Sequence, residues 1–578
     1  MRGLASLLLA MACSSSPEEE PGPSRSPDPP DPIPSDTGMP TVPDPTEVPP
    51  RRVELGDMEL PTLTATPPGS AFSGSVEVTL EASDTVSTIW YTDDGSVPQI
   101  GLSIPYTGPL TFTQSTQIRA VAEVLGKPVG VAPTYVALDS NLVGFSSDLP
   151  LVVLWSADEA PTVKSEIYSR FTLSTFEPAV GGRAELPGEA TLSERSGLRV
   201  RGSSSAYYEK KPYRIEVWDP LAVADVDLDV PLLGMPTEAD WVLLAPLAFD
   251  RALMRNALMY ALSNHLGRYA PRTRFAEVFV AERGEPVGFD DYQGVYVVVE
   301  RIERDTDRVD VARLGPTDIA LPELSGGYIF KEDRLGPGDR GFYAGDAGGL
   351  FSFQQPFVFV DPSEEELRLE QAAYVAEQLD ELGGALASRD FTHPLTGRHY
   401  DQIIDVDSWI DHHILNVFAK NPDAFRLSGY FHKDREGPIQ AGPLWDFDRT
   451  MGCADDTRAS DPTWWDPSNE TSDCTYVFEH GFWPGLFADP AFVAQYWQRW
   501  ADLLGAELSL AAVEAEIDAM EAELAEAAPR NFEAWPTHPP RGGSFEAEVE
   551  LLRAWVRDRH GWASACLARP DPSQCMGR

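Results

Sequence analysis

Two aspartates spaced two residues apart form the densest chemical signal in the sequence. Asp446 and Asp448 alternate with aromatic residues in Trp445-Asp446-Phe447-Asp448, and Asp455 and Asp456 follow closely. Carboxylate oxygens are hard ligands for divalent cations, so metal binding and acid–base catalysis are the chemistries to weigh for this segment. The regular spacing of a calcium loop is absent, and two carboxylates so close together rarely reach both faces of a sugar. Calcium binding and glycoside hydrolysis are therefore the less favoured alternatives.

Periodic apolar segments predict the elements that must position these carboxylates. Apolar residues recur every four positions from Met254 to Leu266, with Asp250 able to cap the start of this helix and Gly267 able to end it. A second helix is predicted around 409–418, capped by Asp407. Short strands with alternating apolar residues separate the helices. This mixture predicts an α+β fold, with a helical C-terminal region over 501–578.

Residues 60–138 predict a small β-sandwich, because several short strands are separated by Gly, Pro, Asp and Ser turns. The turns Asp93-Asp94-Gly95 and Tyr106-Thr107-Gly108-Pro109 make this segment resemble the chitobiase/β-hexosaminidase C-terminal-type module. The resemblance implies an accessory domain. Trp90 and Tyr91 are its candidate carbohydrate-binding residues, and the more favoured interpretation is that they are core or turn residues of a spacer.

Four blocks in order make the central segment, roughly 195–452, resemble the spore coat protein H (CotH) kinase family of atypical protein kinases. The blocks are RGSSSAYYEKKPYRIEV, RNALMYALSNHLG, QGVYVVVERI with GGYIFKED, and NPDAFRLSGYFHKD with GPLWDFD. The resemblance implies an atypical protein-kinase-like central domain. It also implies ATP and Mg²⁺, or Mn²⁺, as cofactors and a protein as the substrate.

The resemblance assigns roles to the aspartates. Asp446 resembles the metal-binding Asp of the kinase DFG block, and Asp448 can join it around the metal. Asp423 resembles the catalytic-loop Asp that orients the substrate hydroxyl. Ser428 occupies the position where the family typically has an Asn as a second metal ligand, which puts full activity in doubt. Asn421 is the alternative partner.

The resemblance also assigns the nucleotide contacts. Lys210 or Lys211, at a strand start, resembles the phosphate-contacting lysine, and Arg201 precedes them in a glycine-containing loop. Glu300 is the candidate partner of that lysine. The segment Gly336–Gly341 matches a glycine-rich phosphate loop, but no apolar helix follows it and a proline removes one amide. A surface loop is the better interpretation.

The N-terminus predicts export. An apolar run from Leu4 to Ala12 follows one arginine, and Cys13 stands where a bacterial lipoprotein carries its lipidated cysteine. Residues 14–58 are rich in Ser, Pro and acidic residues and predict a disordered tether. The expected location is therefore outside the cytoplasm, on a bacterial membrane through a lipid anchor or at the cell surface.

The remaining four cysteines favour disulfides, because an even number is left in an exported chain. Nearest-neighbour pairing predicts Cys453–Cys474 and Cys566–Cys575 among three connectivities. No C-x-x-C segment occurs, which disfavours a metal site built from these cysteines.

Charge limits the partners. With 45 basic and 91 acidic residues, the formal net charge is −46, which disfavours nucleic acid and favours a basic substrate segment. The predicted domains are a lipoprotein-type signal at 1–13, the tether at 14–58, the β-sandwich at 60–138, the kinase-like domain at 148–500 and the helical extension at 501–578. The predicted function is transfer of the ATP γ-phosphoryl group to Ser or Thr of a secreted or surface protein. The alternative is a non-catalytic surface or matrix protein that reuses the fold for binding.

Overall fold

The structure is a computed structural model that describes residues 61–84, 87–160, 164–344, 351–467 and 475–569. Contacts divide the chain between Glu59 and Leu60, so all of these residues lie in the second of two units. The predicted signal, Cys13, the tether, Cys474 and Cys575 lie outside the described residues. Among the helices of the described ranges, none combines the length and apolar character needed to cross a membrane.

The N-terminal part is β-rich, as predicted. Its core contains the alternating residues Val78 and Leu80 of one strand, together with Ile118, Ala122 and Tyr135. The strands form three sheets with orders β1-β3-β6, β7-β10-β2 and β5-β4-β8-β9. Their bounds are β1 Leu63–Thr66, β2 Ser70–Phe72, β3 Val76–Ala82, β4 Trp90–Thr92, β5 Ile104–Pro105, β6 Leu110–Phe112, β7 Thr116–Gln117, β8 Arg119–Val124, β9 Lys127–Val131 and β10 Thr134–Ala137.

A closed seven-stranded barrel follows, in the order β12-β13-β16-β17-β20-β22-β21. Sequence patterns predicted several of its strands but not its closure, which depends on the parallel pairing of β12 with β21. The strands of this region are β11 Phe145–Ser147, β12 Leu151–Trp155, β13 Ser169–Phe176, β14 Ala184–Leu186, β15 Gly188–Glu189, β16 Leu192–Val200, β17 Tyr213–Val217, β18 Val230–Leu232, β19 Met235–Glu238, β20 Asp240–Leu244, β21 Thr273–Ala281 and β22 Tyr292–Glu300. The barrel interior is apolar, with Leu198, Ile215 and Trp241 fully buried.

The β-rich module is joined to the barrel region by main-chain and side-chain hydrogen bonds. Strand β15 pairs with β2, so the four-stranded sheet of the module has the order β15-β2-β10-β7. The buried Arg119 guanidinium donates to the carbonyl oxygens of Pro220, at 2.6 Å, and Ala222, at 2.8 Å. The Thr134 amide donates to the Ser193 hydroxyl at 2.9 Å. The module is therefore docked on the next domain.

A second sheet, in the order β24-β25-β23-β26-β27, packs with the helices in the largest apolar core. Its strands are β23 Tyr328–Glu332, β24 Gly341–Phe342, β25 Phe357–Asp361, β26 Gly429–Lys433 and β27 Ile439–Ala441. The helices are α1 Arg255–His265, α2 Leu369–Leu386, α3 Val406–Ala419, α4 Trp483–Leu486, α5 Pro490–Gly505, α6 Leu510–Leu524, α7 Ala527–Ala534 and α8 Phe545–Leu567. The α+β class and the C-terminal helices are confirmed.

Two helix starts differ in detail from the sequence prediction. Helix α3 is capped by Asp405, whose carboxylate accepts from the Ser408 amide at 2.7 Å. The predicted cap Asp407 lies in the first turn and accepts instead from the Gln495 side chain at 2.6 Å. Asp250 lies before α1 and accepts from the Arg255 amide at 2.8 Å, while its other oxygen pairs with the Arg255 guanidinium.

The predicted Cys453–Cys474 disulfide is wrong, because Cys453 is a buried free thiol. Its sulfur donates to the Asp456 carbonyl oxygen at 3.7 Å, and burial raises the pKa of the thiol to about 12. Cys566 is disulfide-bonded, and its partner lies outside the described residues. The pairing of Cys566 with Cys575 stays a prediction.

Candidate functional site

Helix α1 holds the loop that carries Asp446. The Asp446 amide donates to the Tyr260 hydroxyl at 3.3 Å, and the Phe447 amide donates to the Asn256 side-chain oxygen at 2.7 Å. Asp446 has a positive φ of 69°, a conformation that a non-glycine residue keeps only where its surroundings fix it. The Tyr260 ring also stacks on Trp445, with centroids 5.9 Å apart. The loop is therefore preorganised by groups that α1 supplies.

Asp446 and Asp448 interact electrostatically with Asp423, Arg201 and Arg449, and we call this group of side chains the charged cleft. The Asp446 side chain is exposed at the surface, but the protein atoms packed around it reduce its hydration. This burial, followed by the nearby Asp423 carboxylate, raises the pKa of Asp446, and the Arg201 guanidinium opposes the shift. Burial and the charge of Asp446 raise the pKa of Asp448 well above its usual range. Carboxylates under such mutual repulsion favour a bound proton or cation.

Asp423 is placed against the Asp446 loop by the end of α3. The helix ends at Ala419, and the Asp423 amide then donates to the Asn421 side-chain oxygen at 3.1 Å. The Asn421 amide group also donates to the Asp446 carbonyl oxygen at 3.5 Å. The Asp423 carboxylate pairs with Arg426 and, at 3.3 Å, with Arg458. Two arginines thus fix the orientation of this carboxylate.

Two arginines bring positive charge to the same cleft. The Arg201 guanidinium lies over the Trp445 ring, 5.4 Å from its centroid, and interacts electrostatically with Asp446. Burial lowers the pKa of Arg201. The Arg449 guanidinium lies over the Phe249 ring and interacts with both Asp446 and Asp448. Arg201 was assigned to the nucleotide from the sequence, whereas Arg449 was not.

The two lysines assigned from the sequence are hydrogen-bonded to groups other than these aspartates. The buried Lys210 ammonium donates to the Pro246 and Val295 carbonyl oxygens and, at 2.8 Å, to the Asn531 side-chain oxygen. Burial lowers the pKa of Lys210 well below its usual range. The Lys211 ammonium donates to the Ala206 carbonyl oxygen at 3.0 Å. Within the described ranges, no hydrogen bond or ion pair joins either lysine to the aspartates.

Glu300 does not pair with a lysine. Its carboxylate is fully buried and accepts from the Arg272 guanidinium at 2.7 Å and from the Tyr269 hydroxyl at 3.1 Å. Because Glu300 ends β22, its partners come from the segment that precedes β21. These bonds give Glu300 a structural role in which Lys210 takes no part.

A lysine that the sequence analysis missed, Lys331, lies beside this cluster. Its ammonium pairs with Asp333 at 2.7 Å and lies over the Tyr430 ring, 5.5 Å from the centroid. Asp333 in turn interacts with Asp446 and raises its pKa. The available signal was the strand segment Gly326–Asp333, in which Lys331 interrupts a buried apolar run.

Ser428 contributes no hydrogen bond to the cluster within the described part of the chain. It is half-buried, has a positive φ of 53° and directly precedes β26. No group of three or more His, Cys, Asp or Glu residues among the described ranges is placed to hold a metal. Mg²⁺ needs only one or two carboxylates beside water and substrate phosphates, and Asp446 and Asp448 fit that requirement.

A cavity lies outside this cluster, on another part of the described residues. Its volume is about 250 Å³, and its lining includes Arg268, His412, His432 and Leu444. None of the site residues assigned from the sequence lines it. The chemistry of the charged cleft, rather than the volume of this cavity, therefore defines the candidate site.

The fold and cleft together define a mixed α+β protein with a docked β-rich module and an array of paired acidic and basic side chains. The chain belongs to the CotH kinase protein family, whose family model matches residues 198–563, more than half of the chain. The model of the chitobiase/beta-hexosaminidase C-terminal domain matches residues 67–129. Both resemblances inferred from the sequence are confirmed, in the predicted order.

Comparison with individual proteins adds no functional information. No curated protein matches the chain. One similar solved structure is a chimeric titin Z1Z2-Z1Z2 tandem functionalised with a GRGDS peptide from fibronectin. It is 9% identical, covers 28% of this chain and 91% of its own, and has a TM-score of 0.11, so it carries no argument.

Proposed function

We propose that the chain is a protein kinase that transfers the γ-phosphoryl group of ATP to Ser or Thr of an exported protein. The observation that carries this proposal is the meeting of Asp446, Asp448 and Asp423 with Arg201 and Arg449 in one cleft of a CotH family member. Phosphoryl transfer needs metal and cationic groups that neutralise phosphate charge, and a group that orients the attacking hydroxyl. The arginines and a metal on Asp446 and Asp448 would neutralise the phosphates, and Asp423 would orient the hydroxyl.

Asp446 and Asp448 would hold Mg²⁺ or Mn²⁺, which supplies charge neutralisation on the phosphates when bound. Their raised pKa values agree with this role, because a divalent cation relieves the repulsion between neighbouring carboxylates. Arg201 and Arg449, which both interact with Asp446, would contact phosphate oxygens. Each cation in such a site stabilises charge that is spread over the transferred group.

Asp423 would orient the acceptor hydroxyl. The acceptor oxygen forms a bond to the γ-phosphorus while the bond to the β,γ-bridging oxygen breaks, and ADP leaves. The hydroxyl proton passes to the Asp423 carboxylate and then to solvent. Because Arg426 and Arg458 hold that carboxylate in one orientation, its main contribution is to position the hydroxyl.

Export and the lipid anchor remain part of the proposal. They rest on the apolar run before Cys13 and the tether that follows it. The disulfide at Cys566 supports an oxidising compartment, and buried Cys453 is compatible with one because a thiol with a raised pKa reacts slowly. Changing Cys13 to Ser should release the protein from the membrane fraction.

A non-catalytic binding protein is the second candidate. It is favoured by Ser428, which replaces a typical metal-ligand Asn and forms no hydrogen bond to the cluster within the described residues. The β-rich module adds a possible carbohydrate surface at Trp90 and Tyr91, both of which are partly exposed. In that case the cleft would bind a partner without transferring phosphate.

The test uses the full chain with labelled ATP, Mg²⁺ or Mn²⁺, and a basic acceptor protein. Asp446→Ala should abolish transfer, whereas Asp307→Ala, at an exposed position outside the cleft, should not. Metal-dependent nucleotide binding is measured in parallel. Nucleotide binding without transfer would favour the second candidate, and the absence of both would reject the kinase proposal.

A further inference from the structure

Lys331 lies at the point where the second sheet meets the charged cleft. It is on β23, directly opposite Tyr430 of β26 in the antiparallel register. The neighbouring residue Glu332 is buried and pairs with His480 at 2.8 Å. The side chains of Lys331 and Glu332 therefore have different environments. About a quarter of the Lys331 side chain, 23%, is exposed. The Lys331 side chain is therefore partly open to solvent, whereas Lys210 is buried.

Two shared neighbours connect Lys331 with the aspartates. Asp333, which pairs with Lys331 at 2.7 Å, also interacts with Asp446. Tyr430, whose ring lies under the Lys331 ammonium, also interacts with Arg201. Burial disfavours the charged ammonium, but Tyr430 and Asp333 outweigh it and raise the pKa of Lys331. The lysine is therefore a stable cation, and its ion-pair partner Asp333 interacts with Asp446.

We propose that Lys331 is the lysine that contacts the nucleotide phosphates, and that Asp333 is a positioning residue that holds its ammonium toward Asp446. This inference rests on the proposed kinase function. A lysine ammonium binds phosphate as a compact point charge, so it must reach the phosphates directly. Lys210 is enclosed by three oxygen acceptors, and Lys211 bonds to a backbone carbonyl. Lys331 is bound to one carboxylate at the edge of the cleft.

The experiment compares the affinities of Mg²⁺-loaded full chain for ATP, ADP and AMP by titration calorimetry. A phosphate-contacting lysine should matter more as the number of phosphates rises. Lys331→Met should weaken ATP binding by about ten- to a hundredfold, with a smaller loss for ADP and little for AMP. Lys331→Arg should restore part of the loss, and Asp333→Asn should give an intermediate one. Lys127→Met, at an exposed position in the β-rich module, is the matched control.

Each outcome decides a different question. If wild type binds none of the three nucleotides, the proposed function fails. If wild type binds ATP but Lys331→Met keeps the wild-type ratio of ATP to AMP affinity, this inference alone is overturned. An equal loss for all three nucleotides, with an unchanged circular dichroism spectrum, would also overturn it. If Lys211→Met loses the ATP preference instead, the assignment made from the sequence is correct.

Discussion

Replacing Lys210 with Met tests whether this lysine has a structural role or contacts the nucleotide. The Lys210 ammonium is buried and donates three hydrogen bonds, to two backbone carbonyls and to Asn531 of α7. Methionine has a similar length and volume, so the change removes the charge and its bonds while leaving little cavity. We expect the variant to be less stable and to keep its nucleotide affinity.

The magnitude follows from those contacts. Hydrogen bonds to a charged group contribute about 1.5–3 kcal/mol each, so three contribute roughly 5–9 kcal/mol. Burial of the ammonium costs several kcal/mol, which the substitution recovers. We therefore expect the free energy of unfolding to fall by about 2–4 kcal/mol. The hydrogen bond from Lys210 to Asn531 joins the barrel region to the C-terminal helices. Its loss should therefore destabilise both regions.

Urea denaturation followed by tryptophan fluorescence measures the loss of stability, and nucleotide titration of the folded variant measures binding. Lys127→Met serves again as a control, because its side chain is exposed and should change neither quantity. A variant with unchanged stability and lost ATP affinity would refute this reasoning. Such a result would return the phosphate-contacting role to Lys210, as the sequence resemblance implied.

Three further predictions concern the aspartates, a buried histidine and the free cysteine. Asp446→Ala should lower the rate of phosphoryl transfer by about a hundredfold or more and should also weaken metal-dependent nucleotide binding. Asp423→Asn should slow transfer and leave nucleotide binding nearly intact. Equal effects of the two variants on nucleotide binding would contradict these separate roles. Burial lowers the pKa of His412 to about 4. Its contribution to stability should therefore be complete above about pH 6.5 and be lost toward pH 4, because only the unfolded state takes up a proton there. His412→Phe should reduce the dependence of the urea midpoint on pH, and buried His413, whose pKa is lowered to about 3, should keep part of it. Finally, Cys453 should react with a thiol reagent only after unfolding without reductant; no reaction under those conditions would mean that it is disulfide-bonded.

Local patterns were sufficient to predict the two helices that hold the site. Apolar residues at helical spacing located α1 and α3, although both helices are buried on nearly all sides. The cap of α3 was misplaced by two residues, since Asp405 and Asp407 are equally suitable by residue type. Only the backbone position decides which carboxylate meets the Ser408 amide.

The barrel and the lysine positions could not be predicted, because both depend on contacts between distant residues. Closure requires β12 to pair with β21, whose partners Leu151 and Glu277 are far apart in the chain. The Lys210 ammonium is hydrogen-bonded to Asn531, which lies more than 300 residues later in the chain. The sequence motif around Lys210 contains no sign of that partner. The surroundings of Asp446 are equally non-local, because α1 holds its loop.

The docking of the β-rich module has a consequence for how the protein would meet a surface-bound substrate. Strand β15 completes a sheet of the module, and Arg119 ties the module to the loop around Pro220. A flexible linker would let the two parts search a wide volume, whereas this attachment fixes their separation and relative direction. A group bound on the module would therefore stay at one distance and in one direction from the Asp446 loop. The attachment, rather than a linker length, would determine what the loop can reach.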